Sequence, residues 1–327
     1  MTLRERIEEA LGAAALRHFG DPVKIENLRP VSGGAVGETW FFDAVQGGQR
    51  RELILRGSRP GREGSHLLTR TSEAQLQQRA LEAGVPVAPV PFILEERDGI
   101  GAGYVMERIP GETIARKILR DEPYREARTR LARRCGEILA RIHSMDPARL
   151  PPLQKMPAGE QIQQFRQIYL AFGEDLPVFD FAFRWLADHA PGESELRLVH
   201  GDFRNGNFIV GPEGIRAVLD WELAHLGDPL EDLGWLCVNS WRFGNLDEPV
   251  GGFGQREDLF RGYESAGGRK IDPDTVHFWE VFGTLKWGIM CLIQGFTHLS
   301  GAKRSVELAA IGRRPSETEI DLLNLLT

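Results

Sequence analysis

One stretch of the chain, Leu198 to Leu236, holds residue types at a spacing that fits a demanding reaction: LVHGDFRNGNFIVGPEGIRAVLDWELAHLGDPLEDLGWL. His200-Gly201-Asp202 comes first, Asn207 follows the aspartate five residues later, and Asp220 ends an apolar run beyond a turn. Phosphoryl transfer asks for such a set. A carboxylate beside an acceptor hydroxyl orients the alcohol and takes its proton as the new bond forms. Magnesium bridging nucleotide phosphates takes hard oxygen ligands, which Asp and Asn side chains supply. An Asp at the start of a loop and an Asn at its far end can face one pocket. The turn Gly211-Pro212-Glu213-Gly214 then returns the chain, so that Asp220 meets them from the next strand.

The elements that must position this set follow from apolar periodicity. Leu3 to Phe19 carries Ile7, Leu11, Ala14 and Ala15 at helical spacing and ends near Gly20. Strands are predicted at Lys24–Arg29, Thr39–Val45, Glu52–Arg56, Val90–Glu95 and Gly103–Arg108, with a helix over Thr71–Ala83. After Pro110-Gly111 the pattern turns helical. Arg125–Met145 sets Leu131, Cys135, Ile138, Leu139 and Ile142 on one face, and further helices are expected at Gln161–Phe172 and Phe179–His189. Short strands at Leu196–His200, Asn207–Val210 and Ile215–Asp220 frame the reactive stretch, and the remainder, including Thr275–Gln294 and Thr318–Leu326, reads as helix. The expected fold class is therefore α+β, with a sheet-rich lobe over residues 1–107 and a mainly helical lobe over 108–327.

His-Gly-Asp-x₄-Asn followed by Asp220 resembles the catalytic core of the aminoglycoside phosphotransferase and choline kinase group, relatives of the protein kinases. The fuller DWELAHLGDPLEDLGW is similar to the branch of phosphotransferase-like domains attached to some acyl-CoA dehydrogenases. The resemblance implies a two-lobed, protein-kinase-like fold that moves the γ-phosphoryl group of ATP, with Mg2+, onto a hydroxyl of a small molecule. It implies Asp202 as catalytic base, Asn207 and Asp220 as magnesium ligands, and His200 as a brace for the loop. In the first lobe it implies a phosphate-covering loop at Ser32, Gly33 and Gly34, which departs from G-x-G-x-x-G. Arg56 stands where protein kinases carry lysine, and holds phosphate through a planar fork. Glu73 is its expected helix partner. Met106, Glu107 and Arg108 form the expected hinge, where backbone groups meet adenine.

Other residues near the stretch have structural and functional readings side by side. Arg204 either neutralises developing phosphate charge, touches substrate or is solvated. Glu222 stands between a supporting role and a substrate contact, whereas Asp228 and Asp232 fit helix caps or braces. His143 and His225 are expected as packing or surface histidines, and Trp235 and Trp241 as core residues or walls of the acceptor pocket.

The bulk properties narrow the partners. The net charge of −7 sits in residues 191–250, where eleven Asp/Glu face four Arg, and the remainder is neutral. That disfavours a nucleic-acid-binding field and slightly favours an amine-bearing acceptor. No apolar run reaches membrane-spanning length, and Arg4, Glu5, Glu8 and Glu9 interrupt any secretory core, so a cytoplasmic location is expected. Cys135, Cys237 and Cys291 lie far apart and match no metal-ligand spacing, which predicts buried free thiols. Aminoglycoside-, choline- and hydroxyacyl-like alcohols all remain open as acceptors. Two rivals are a nucleotide-binding pseudokinase acting as an interaction module and a metal-dependent hydrolase.

Overall fold

The structure, a computed structural model, describes residues 1–31, 39–57, 67–192 and 195–327. The first lobe opens with helix α1 (Leu3–Phe19). A capping box starts it: the Thr2 hydroxyl accepts from Glu5 N–H while the Glu5 carboxylate accepts from Thr2 N–H. Strands β1 (Lys24–Pro30), β2 (Thr39–Gln46) and β3 (Gln49–Gly57) follow, then helix α2 (Arg70–Glu82) and strands β4 (Phe92–Ile93) and β5 (Gly103–Glu107). They form one antiparallel sheet in the order β1-β2-β3-β5-β4. Alternate residues Trp40, Phe42, Leu53 and Leu55 turn inward and pack with Leu11, Leu28, Phe92 and Val105. The predicted strand Val90–Glu95 shortens to Phe92–Ile93, with one further bond from Leu94 N–H to Gly103 O; Pro91 removes the donor that would extend it toward Val90, and Glu95 N–H turns to the Asp98 carboxylate.

The second lobe contains α3 (Ala115–Arg120), α4 (Arg125–His143), α5 (Ala158–Phe172) and α6 (Pro177–Asp188). Next come β6 (Arg197–Val199), β7 (Phe208–Gly211), β8 (Gly214–Val218) and β9 (His225–Gly227). The chain ends through α7 (Leu230–Cys237), α8 (Arg256–Ser265), α9 (Pro273–Leu299), α10 (Val306–Ile311) and α11 (Pro315–Leu326). The predicted face of α4 is buried as expected. α9 is wrapped by its neighbours, and its buried Glu280 is satisfied by Arg242 at 2.8 Å and Arg256 at 2.7 Å. Strand β9, which pairs with β6 antiparallel, corrects the helical reading of residues 225–227; three residues between two turns carry no periodicity to detect.

β7 and β8 form the expected hairpin, and Leu219 N–H donates to Asn207 O at 2.8 Å just beyond it. The lobes meet at this hairpin and the turn after it: Val218 N–H donates to Pro86 O, and Leu68 N–H donates to Glu222 O. All three cysteines are buried and free, and burial pushes the Cys237 and Cys291 thiols up to about 12. No helix among the described residues is long and apolar enough to cross a membrane.

Candidate active site

The loop between β6 and β7 is built around Asp202. Gly201 enters it at φ 79°, and a Cβ there would lie 2.5 Å from Leu223 O, so both the conformation and the space call for glycine. His200 is fully buried against Trp221 at 4.6 Å. Burial lowers its pKa against the pull of Asp232 and Asp202, so the ring stays neutral. Its Nδ1 accepts from Asp202 N–H at 3.2 Å. Asp232 of α7, itself buried, accepts from His200 N–H at 2.8 Å, Gly201 N–H at 2.9 Å and His143 Nε2 at 3.1 Å. One carboxylate thereby anchors the start of the loop to α7 and α4, the brace that sequence reading offered for Asp232. Asp228, ahead of α7, accepts from Leu230 N–H, the first residue of that helix, at 2.9 Å.

The Asp202 carboxylate is nearly saturated. Oδ1 accepts from Arg204 Nε and Trp235 Nε1, both at 2.9 Å, and Oδ2 accepts from Asn207 Nδ2 at 2.6 Å. A carboxylate offers about four lone pairs, so one site remains, on Oδ2. Arg204 lies 4.4 Å from the Trp241 ring, which fixes its guanidinium beside Oδ1. Trp235, expected as a core residue or a wall of the acceptor pocket, also donates to Asp202 from α7, a contact with no local signature.

Asp220 follows β8 in the left-handed region, φ 60° and ψ 63°, a conformation that Asp tolerates better than most side chains. Its carboxylate receives Arg56 Nη2 at 3.1 Å. Burial would raise its pKa, but Arg56 prevails and keeps it below the usual carboxylate range. Arg56 Nη2 also lies 3.5 Å from Glu73 Oε1, and Arg56 Nε finds no partner among the described residues. Glu73 is fully buried, holds Arg70 by an ion pair, and accepts from Tyr104 OH at 3.0 Å. Across β3 and β5, Arg56 stands opposite Tyr104, so strand register delivers this cluster.

The structure thus brings Asp202, Asn207, His200 and Arg204 into one network, and Arg56, Glu73 and Asp220 into a second that the β7–β8 hairpin joins to the first. Ser32, Gly33 and Gly34 lie outside the described residues. Met106 is buried at the end of β5 with Ala74, Ala88 and Val90. Glu107 N–H donates to Pro89 O and Arg108 N–H to Glu52 O, so the sheet itself uses these two donors. Glu222 sits in the turn after Asp220, 3.9 Å from Arg70. His225 is buried and bonds Glu231 at 3.1 Å, a packing role as expected.

The donor chemistry fits magnesium. Asn207 turns its Nδ2 to Asp202, which leaves its amide oxygen for a cation, and Asp220 supplies a charged oxygen. Among the described residues no group of three or more His, Cys, Asp or Glu is arranged to hold a metal.

A sheet-rich lobe joined to a helical lobe that carries the Asp202 loop defines a protein-kinase-like phosphotransferase fold. The chain belongs to the phosphotransferase enzyme family, whose sequence model matches residues 27–268. It is 34% identical over 199 residues to acyl-CoA dehydrogenase family member 10 of Mus musculus, covering 58% of this chain and 18% of that protein. It is 31% identical over 227 residues to acyl-CoA dehydrogenase family member 11 of Gallus gallus, covering 65% and 28%. The chain thus spans less than a third of the length of these relatives. Its fold is similar to that of a candidate aminoglycoside phosphotransferase of Ralstonia eutropha, with a TM-score of 0.76, 24% identity and 97% of each chain covered. A choline/ethanolamine kinase family protein of Mesorhizobium loti follows, with a TM-score of 0.64, 21% identity and 99% and 95% covered.

Proposed function

We propose that this phosphotransferase moves the γ-phosphoryl group of ATP, with Mg2+, onto the hydroxyl of a small molecule, residues 1–107 binding the nucleotide and 108–327 the acceptor. The observation that carries this reading is the state of Asp202: three donors hold its carboxylate and one lone pair on Oδ2 is left. An alcohol donating to that lone pair is oriented for attack and gives up its proton there as the phosphorus–oxygen bond forms. Asn207 and Asp220 would hold magnesium, which when bound neutralises charge on the phosphate oxygens. Arg56, backed by Glu73, would hold phosphate through its guanidinium fork. Most of the acceleration would come from alignment and fixed charge.

For the acceptor, part of the acidity of residues 191–250 is neutralised inside the protein. Asp228 binds Arg269, Glu213 binds Arg216, Asp220 binds Arg56, and Glu231 binds His225 and Lys286. The field available to attract a polycation is therefore weaker than the charge count alone suggests. Next to the site lies a cavity of about 210 Å³ walled by Phe165, Ile168, Leu223, Met290 and Ile293, with Lys286 on its lining. Lys286 Nζ is 5.1 Å from the Trp235 ring that bonds Asp202. Apolar walls suit a hydroxyacyl-like alcohol better than an aminoglycoside or choline. Release of ADP from Mg-ATP across a panel of hydroxyacyl compounds, amino sugars and choline tests both levels. Turnover with a hydroxyacyl compound is expected, and turnover with cationic alcohols alone would reverse the acceptor assignment. Mg-ATP binding without turnover on any alcohol would leave a nucleotide-binding module, and tight binding of several metals with no ATP affinity would favour the hydrolase.

A further inference from the structure

Arg70 is an unexpected residue where it stands. It is the first residue of α2, a helix N-terminus, where the helix dipole disfavours a cation, and it is only 8% exposed. Its partners account for it. Nε donates to Gly57 O at 3.1 Å, at the end of the strand that carries Arg56. Nη1 pairs with Glu73, which also faces Arg56. The same Nη1 lies 3.9 Å from Glu222 Oε2, two residues beyond Asp220. A second link runs in parallel: Leu68 N–H donates to Glu222 O at 2.9 Å. The segment entering α2 is therefore tied at once to the phosphate-holding strand, to Glu73 and to the turn after Asp220.

We propose that Arg70 is a positioning residue that couples the Asp220–Glu222 turn to the Arg56–Glu73 pair, so that a cation held at Asp220 and a phosphate held at Arg56 strengthen each other. This rests on the reading of the site as one for Mg-ATP. Glu73 is shared by two guanidinium groups, and of these two Arg70 also reaches toward Glu222. Movement of the turn that carries Asp220 pulls on Glu222, and through Arg70 on the carboxylate that orients Arg56. A lysine at this position keeps the charge but cannot satisfy three separated acceptors with one fork.

The test is ATP binding to the full chain, measured by calorimetry with Mg2+ and with EDTA, for the wild type, Arg70→Lys and Glu222→Gln, with melting temperatures in parallel. The wild type should bind ATP more tightly with Mg2+. Both variants should reduce that enhancement about 10-fold, and the double variant should lose no more than the single ones, as expected of one coupling pathway. An enhancement unchanged in Glu222→Gln and in any folded Arg70→Lys would overturn the coupling and leave the proposed function standing. Should Arg70→Lys fail to fold, Glu222→Gln decides alone. A wild type that binds no ATP under either condition would instead remove the function on which the inference rests.

Discussion

Replacing Trp235 by phenylalanine removes one donor from the carboxylate at the centre of the site and keeps an aromatic ring in place. Trp235 Nε1 lies 2.9 Å from Asp202 Oδ1, and the indole is almost wholly buried. A hydrogen bond to a charged group contributes about 1.5–3 kcal/mol. If all of it served to hold the base in the transition state, turnover would fall about 10- to 150-fold. Arg204 still holds Oδ1 and Asn207 still holds Oδ2, so the loss should lie near the lower limit, about 10-fold in kcat. The KM for ATP should stay within about two-fold, because Trp235 is not among the phosphate-facing groups. The smaller ring beside Trp241 and Lys286 should also lower stability by about 1–2 kcal/mol, visible as a modest drop in Tm. Steady-state kinetics with an accepted alcohol, alongside thermal unfolding, separates these effects. An unchanged kcat with the whole loss in the KM of the acceptor would make Trp235 only a pocket wall and refute the reasoning.

Asp232→Ala leaves His200 N–H and Gly201 N–H buried without their acceptor, and should cost about 3–5 kcal/mol in urea unfolding; wild-type stability would remove the brace. The buried pair His225–Glu231 gives a pH signature. Burial opposes both charges, yet Glu231 lifts His225 above its ordinary 6.5, and His225 with Lys286 holds Glu231 down at about 2. The raised histidine stabilises the fold fully below 6.5 and loses that contribution as pH rises through its higher folded value; the lowered carboxylate contributes above 4.5 and loses it as pH falls toward 2. The stability gap between wild type and Glu231→Gln should therefore be widest between 4.5 and 6.5 and narrow at higher pH, and a gap constant from about pH 5 to 9 would refute the pairing.

Much of the site was legible because it is local. Asp202, Asn207 and Asp220 lie on one loop and one hairpin, and the turn Gly211–Gly214 brings the far end back without any long-range contact. Arg56 and Glu73 were legible by order along the first lobe, and β3–β5 register and α2 packing realise that order. The parts that escaped depend on contacts between distant segments. Trp235 reaches Asp202 only because α7 folds under the loop. Arg70 stands just ahead of the predicted helix with no motif to mark it, and only tertiary packing buries it between Gly57, Glu73 and Glu222. Strand β9 is too short to show a period, and Pro91 and the Glu95–Asp98 bond shorten a predicted strand to Phe92–Ile93. The acidic bias of residues 191–250 read as a possible substrate field, but charge counting along that stretch cannot see that Arg269, Arg56 and Lys286 are folded onto its acids from elsewhere in the chain.

The account stands on the division of labour between Asp202 and Asp220, and ATP binding and turnover measured side by side in Asp202→Asn and Asp220→Asn test it most directly. Asp202→Asn should bind Mg-ATP as the wild type does and lose turnover about 10²- to 10⁴-fold, the contribution of a general base. Asp220→Asn should lose the Mg2+-dependent part of ATP binding as well as turnover. Wild-type turnover in folded Asp202→Asn, or undiminished Mg2+-dependent binding in folded Asp220→Asn, would contradict it.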